Sequence, residues 1–182
     1  MKKFVFSALL LCAMAAHADS VSTEYQYIDV ANSPNNQNFV SLSYRHTVNE
    51  KLAAELTVSD TQTLNTFALS SRTEAALIPT FDTPWATTYV RAAIGDKIGT
   101  IGNSSYYSVE PGATKQVGDV TYKLGYRYRT SFDPMITSET TRTWRIGAAY
   151  AFDKVNSVGT RLDYISGNSE SVGASVIYTH SF

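Results

Sequence analysis

The sequence predicts an all-β chain, about ten antiparallel strands running up and down and closed into a transmembrane barrel behind a cleaved leader. Three observations carry that prediction. Apolar and polar residues alternate with period two in one segment after another of the 182-residue chain. Residues 1–18 have the anatomy of a secretory signal. The final segment, Val172 to Phe182, alternates strictly and stops on a phenylalanine.

In the leader, Lys2 and Lys3 form the charged start, Phe4 to Met14 the apolar run and Ala16-His17-Ala18 the small-residue cleavage pattern. The run is too short to cross a bilayer as a helix. Cys12 lies inside it behind Leu11, which favours cleavage after Ala18 over a lipid anchor, and leaves 19–182 as one barrel domain without cysteine. Losing Lys2 and Lys3 takes 15 basic residues to 13 against 16 acidic ones, a formal charge of −3. That balance offers nothing to nucleic acid. A composition only 43% hydrophobic is what a barrel gives, since each strand shows lipid every second residue.

Taken in order, residues 22–31 put Tyr25 and Tyr27 on the apolar side and Glu24 and Gln26 on the other, with Ile28 and Val30 breaking the pattern. Residues 39–48 set Val40, Leu42, Tyr44, His46 and Val48 against Ser41, Ser43, Arg45 and Thr47; after a tight turn at Asn49-Glu50-Lys51, residues 52–59 set Leu52, Ala54, Leu56 and Val58 against Ala53, Glu55 and Thr57. Residues 66–78 place Phe67, Leu69, Ala75 and Leu77 opposite Arg72, Glu74 and Ala76, and Pro79 to Pro84 is expected to break the run. Residues 86–95 fit with Val90, Ala92 and Ile94 outward and Arg91 inward. Residues 105–114 put Tyr107, Val109, Pro111 and Ala113 outward and Glu110 inward, with a bulge or strand end expected at Pro111.

The cleanest strand is 118–130, where Val120, Tyr122, Leu124, Tyr126 and Tyr128 oppose Lys123, Gly125, Arg127 and Arg129. In 139–152, Trp144, Ile146, Ala148, Tyr150 and Phe152 oppose Arg145, Gly147, Ala149 and Ala151. In 157–166, Val158, Leu162 and Tyr164 oppose Gly159, Arg161 and Asp163. The final strand shows Val172, Ala174, Val176, Tyr178, His180 and Phe182 on one side, and Ile177 is the one apolar residue on the other. The tally is ten strands, or eight if 79–114 is less regular. Turns near 49–51, 79–84, 115–118 and 153–156 then share one end with both termini, and connections near 32–38, 60–65, 96–104, 131–138 and 167–170 share the other.

This closing strand resembles that of bacterial outer-membrane β-barrels. The resemblance implies residence in the outer membrane, an apolar face toward lipid and lipopolysaccharide, and recognition by the barrel-assembly machinery through the strand ending in Phe182. A soluble barrel would reverse the faces, but glycines and alanines interleaved with arginines on the minority face suit a tight polar lumen better than a wet surface. Aromatic girdles follow at the two interfaces, Tyr44, Trp85, Tyr122, Tyr150, Phe152, Tyr178 and Phe182 at one and Tyr128, Trp144 and Tyr164 at the other. Arg142 shares the outward parity of Trp144 near the outer end, where a lipopolysaccharide phosphate is its candidate contact.

Folded inward, the parity collects Arg45, Arg72, Arg91, Lys123, Arg127, Arg129, Arg145 and Arg161 with Glu24, Glu55, Glu74, Glu110 and Asp163. Two readings follow. Paired, these charges make a closed polar core, as barrels of this size are filled by their own side chains. Left partly unpaired, the basic excess makes a narrow pore attractive to small anionic solutes. Ser108-Val109-Glu110-Pro111-Gly112 followed by Leu124-Gly125-Tyr126-Arg127-Tyr128-Arg129 is similar to a segment of the oligogalacturonate-specific porins. That resemblance implies a monomeric, arginine-lined barrel for acidic sugar oligomers, with Arg127 and Arg129 as pore arginines.

A third class, an outer-membrane enzyme modifying lipid or peptide, needs a histidine with a partner and a substrate in reach. The mature histidines, His46 and His180, lie on the lipid-facing parity near strand ends, so no catalytic residue is assigned. No spacing calls for a metal or cofactor. The sequence thus points to a non-enzymatic outer-membrane barrel, structural or narrowly permeable, with a porin for acidic saccharides or small anions as the alternative.

Overall fold

The computed structural model describes residues 19–100, 102–132, 140–167 and 170–182, so the leader reading falls outside the described residues. The described chain forms β1 (Ser20–Val30), β2 (Gln37–Asn49), β3 (Leu52–Thr63), β4 (Leu69–Asp82), β5 (Thr87–Gly99), β6 (Gly102–Val117), β7 (Val120–Ser131), β8 (Thr141–Ala151), β9 (Asn156–Gly167) and β10 (Ser171–Ser181). Each strand pairs antiparallel with its sequence neighbours, and β1 pairs with β10 from Ser20↔Ser181 to Val30↔Ser171, which closes the cylinder. Strand lengths of 11 to 16 residues meet or exceed the roughly 9–11 that a tilted strand needs to cross a bilayer.

The turns at 50–51, 83–86, 118–119 and 152–155 share one end with the start of β1 and the end of β10, and their brevity marks it as periplasmic. Their local chemistry is explicit. Asn49 Oδ1 accepts the Lys51 N–H at 2.9 Å. Gly118, first of two loop residues, holds φ +61°, the conformation that a type II′ hairpin demands there. Asp153 Oδ1 accepts the N–H groups of Val155 and Asn156 at 2.8 and 2.7 Å. These bonds hold the Asp153 carboxyl below the usual carboxylate range, the Asn156 side chain contributing most.

Two proline expectations are corrected. β4 runs through Pro79 to Asp82, with one register on either side, Leu77↔Ala92 and Thr80↔Tyr89. β6 runs through Pro111, opposite Val90, with no bulge: Val109↔Tyr128 and Gly112↔Gly125 keep one register. Each proline removes one N–H from a long ladder paired on both edges, and its ring joins the apolar outer face. The register irregularity lies instead between Thr47 and Asn49. Regular pairing across 79–114 also settles the strand number among the described residues at ten rather than eight.

The faces fall as the alternation predicts. Leu69, Leu77, Ile94, Leu124, Ile146, Leu162, Val172 and Val176 are exposed around the outside, where they form an apolar belt. Exposed Trp85, Tyr122, Tyr150, Phe152, Tyr178 and Phe182 lie toward the periplasmic end, and Trp144 and Tyr164 toward the outer one. Burial of apolar residues is sparse and inward, with Ile28 and Ile78 among the few. A protein that hides glutamate and arginine while displaying leucine is built for hydrocarbon.

Candidate functional site: the barrel lumen

Inward parity on β1 and β3 to β9 places a belt of charges at mid-height, and strand tilt decides which of them meet. Arg91 on β5 reaches Glu55 on β3, Nε donating to Oε1 at 3.0 Å, while its Nη1 lies 2.5 Å from Glu74 Oε1 without hydrogen-bond alignment. Arg127 on β7 crosses to the other oxygen of Glu74 and donates to Ser108 Oγ at 3.3 Å. This first group joins β3 to β7.

The second group centres on Glu110, whose side chain is 1% exposed. It accepts Arg145 Nη1 at 2.5 Å and the Tyr89 hydroxyl at 3.0 Å, with Lys123 Nζ 3.9 Å away. Arg145 Nε stands 3.7 Å from Asp163. Arg161 grips Asp163 through Nε and Nη2 at 2.8 and 3.0 Å, and Glu24 through Nη2 and Nη1 at 2.6 and 3.2 Å. Gln26 completes Asp163 with a bond of 2.9 Å. Every lumen carboxylate among the described residues is therefore held by a guanidinium, the form in which buried charge is tolerable.

Glycines make this packing possible. A Cβ at Gly112 would come within 2.3 Å of the Tyr89 ring, and one at Gly125 within 2.9 Å of the Tyr89 hydroxyl, so these two positions are empty because Tyr89 fills them. Lys123 also lies 4.9 Å from the centre of the same ring.

The belt separates two polar vestibules that share no lining residue. A cavity of about 500 Å³ on the periplasmic side is lined by Ser22, Ser43, Thr57, Thr179, Arg45 and Lys123, with the belt as its floor. A cavity of about 200 Å³ on the outer side includes Arg72 and Lys97. Of the residues the sequence nominated, Arg91, Arg127, Arg145, Arg161, Lys123, Glu55, Glu74, Glu110 and Asp163 come together in the belt. Arg45 sits exposed at the periplasmic mouth, Arg72 in the outer vestibule, and Arg129 over the Tyr106 ring at 5.3 Å. Arg142 faces outward beside Trp144. Sequence reading missed Lys97, Tyr89 and Tyr106. Lys97 follows Gly95 and Asp96, where the apolar alternation fades, and the inward tyrosines are betrayed only by glycines on neighbouring strands.

Among the described residues, His46 and His180 both lie away from the lumen. His46 Nδ1 is 3.5 Å from the Asp19 carboxylate, and His180 packs edge-on against Phe182 at 4.8 Å with Nδ1 2.8 Å from Asn156 Oδ1. Among the described residues no group of three His, Cys, Asp or Glu side chains could hold a metal ion.

Neither a protein-family model nor any curated protein matches the sequence. Solved structures do. LpxR from Salmonella typhimurium superposes with a TM-score of 0.51 at 9% identity, over 90% of this chain and 100% of that one. A KdgM porin in complex with disordered oligogalacturonate gives 0.49 at 12% identity, over 88% and 99%. An anion-selective porin from Comamonas acidovorans gives 0.45 at 16%, over 81% of this chain and 49% of that one, so the chain spans about half that porin's length. At such identities the likeness is one of fold. A closed antiparallel cylinder with an outward apolar belt and a charged interior is an outer-membrane β-barrel, the architecture of Gram-negative outer-membrane proteins.

Proposed function

We propose that this protein is a non-enzymatic outer-membrane barrel whose lumen is closed at mid-height to everything larger than water and small ions. The ion-pair belt carries this reading: its side chains span the interior from β3 to β1, and the vestibules above and below have no lining residue in common. Breaking one pair strands a charge in a confined site, so the belt resists opening.

A second reading rests on the bases outside the belt. Arg45 at one mouth and Arg72, Lys97 and Arg129 toward the other would make any residual conductance favour anions.

Planar-bilayer recording of the refolded barrel tests both. The wild type should show no large stable conductance steps. Arg127→Ala with Arg145→Ala should open steps and shift them toward cations, because two positive charges leave the belt while Glu74 keeps only Arg91 and Glu110 only Tyr89 and Lys123. Wild-type steps large enough to pass sugars would overturn the closed-lumen reading. Small wild-type steps with an anion preference that Arg72→Ala plus Arg129→Ala abolishes would establish the second.

A further inference from the structure

We propose that the outward wall of β3 to β6 is a docking surface for a second copy of this chain, which seats the aromatic ridge of its β7 to β9 there, head to tail. The lipid-facing surface is not uniform. Facing outward in the outer half, β7 to β10 carry Tyr126, Tyr128, Trp144, Tyr164 and Val172, whereas β3 to β6 carry Asp60, Ser71, Thr73, Asp96 and Ser105, all five exposed. These polar side chains adjoin across the ladders, as Asp60↔Ser71, Thr73↔Asp96 and Asp96↔Ser105. Ser71 and Ser105 donate to the two carboxylates. Asp96 stands between exposed Ile94 and Ile98, so a charge interrupts a surface turned to hydrocarbon, where ionised groups are costly.

Directly below this polar row the wall is hollow. A groove of about 650 Å³ opens on the same strands, floored by Ala54, Ala75 and Ala92 and flanked by Leu77, Ile94 and Tyr107. Lipid tails solvate apolar surface as well as protein does, so association in a membrane needs a shape that a neighbour can fill and a polar group that it can pair. The other flank of the barrel offers both. Tyr126 and Trp144 pack at 4.8 Å between ring centroids, Tyr164 stands opposite Trp144, and Trp144 is 54% exposed, which makes a ridge. Arg142 is exposed on the same face of β8, one outward position above Trp144. No other lysine or arginine among the described residues faces outward in the outer half, and Arg142, Asp60 and Asp96 enter no ion pair among the described residues. The heights agree. Asp96 lies nine residues above Thr87 and Arg142 nine above Ala151, the periplasmic ends of β5 and β8, while Ile94 and Trp144 each lie seven above. Barrels share one orientation in the membrane, so Arg142 of one copy meets Asp96 of the next as Trp144 enters the groove. A face-to-face pair would set Asp60 and Asp96 against their own copies, or Arg142 against itself, and like charges so placed repel. The contact is therefore heterologous, and a barrel that carries both faces can join two neighbours into a row.

Cross-linking of the mature barrel in phosphatidylcholine vesicles tests this, because residues 19–182 contain no cysteine. Thr73→Cys, opposite Asp96, marks the groove side, and Ser166→Cys, opposite Arg142, marks the ridge side. With a short bismaleimide, a mixture of the two single variants should give a dimer, either variant alone almost none, and the double variant a ladder of dimers, trimers and larger products. Asp96→Arg in the groove-side barrel should lower the yield of the mixture about tenfold, and Arg142→Asp in the ridge-side barrel should then restore it. Ala92→Phe, which fills the groove and leaves every charge in place, should cause a similar loss. Heat-modifiable gel mobility confirms that each variant is folded. Three results overturn the proposal: a mixture that yields no more than one in which Val176→Cys on β10 replaces Thr73→Cys, a single variant that cross-links to itself as well as the mixture does, or a yield indifferent to both Asp96→Arg and Ala92→Phe. The first would leave the groove to lipid, and the second would mean a face-to-face dimer. Conductance decides the lumen separately, since the docking surface lies on the outside whether the lumen is open or closed.

Discussion

Glu110→Gln should destabilise the barrel by about 3 kcal/mol, the lower end of what removing one member of a buried ion pair costs. Glu110 is 1% exposed and takes Arg145 at 2.5 Å, the Tyr89 hydroxyl at 3.0 Å and Lys123 at 3.9 Å. Glutamine preserves the volume and can still accept from Tyr89, so the loss isolates the charge. Arg145 retains Asp163 at 3.7 Å, which keeps the cost from rising further. Urea titration of the barrel in micelles, followed through the fluorescence of Trp85 and Trp144, measures it. A cycle with Arg145→Gln should give a coupling of about 1–3 kcal/mol, since the two groups share one network. A Glu110→Gln variant within about 0.5 kcal/mol of wild type, or strict additivity in the cycle, would refute the view that the belt is a mutually dependent network.

Gly112→Val should cost about 1–3 kcal/mol by overpacking and move Tyr89 off Glu110, because the new Cβ falls within 2.3 Å of the ring; near-ultraviolet circular dichroism of the tyrosines reads the displacement. Leu162→Arg, outward and midway along β9, should cost roughly 2–4 kcal/mol in lipid vesicles, while Val155→Arg in the periplasmic turn should cost about 0–1. The Asp153 carboxyl titrates below its unfolded value of 3.8, so its contribution is fully present above that pH and fades as pH falls through the lowered folded value. Asp153→Asn should therefore flatten the acid limb of the stability profile, and an unchanged acid limb would count against the turn's role.

Parity was legible in the sequence because one face of every strand meets hydrocarbon, and a single slip would invert it. That is why Tyr25, Leu124 and Val176 could be placed outward and Glu24, Arg145 and Asp163 inward before any pairing was known. Partnership was not legible, because it depends on tilt and register rather than on alternation. Arg127 meets Glu74, 53 residues earlier, across two intervening strands, and nothing local announces it. The prolines misled for a related reason: Pro79 and Pro111 are poor ladder members alone, but strands fixed on both edges carry them without changing register. Lys97 escaped because Asp96 interrupts the outward apolar series between Ile94 and Ile98, which ended the visible pattern before Lys97 was reached.

The last bonds of the ladder join the first strand to the last, with the Phe182 N–H on the Asp19 carbonyl and β10 zipped along all of β1. A stave missing from such a cask does not leave a smaller cask; it leaves two raw edges in a solvent that cannot satisfy them. Assembly must therefore withhold its reward until the final stave is in hand, and a helper that shields one raw edge while the other arrives would speed the process without adding any information the polypeptide lacks.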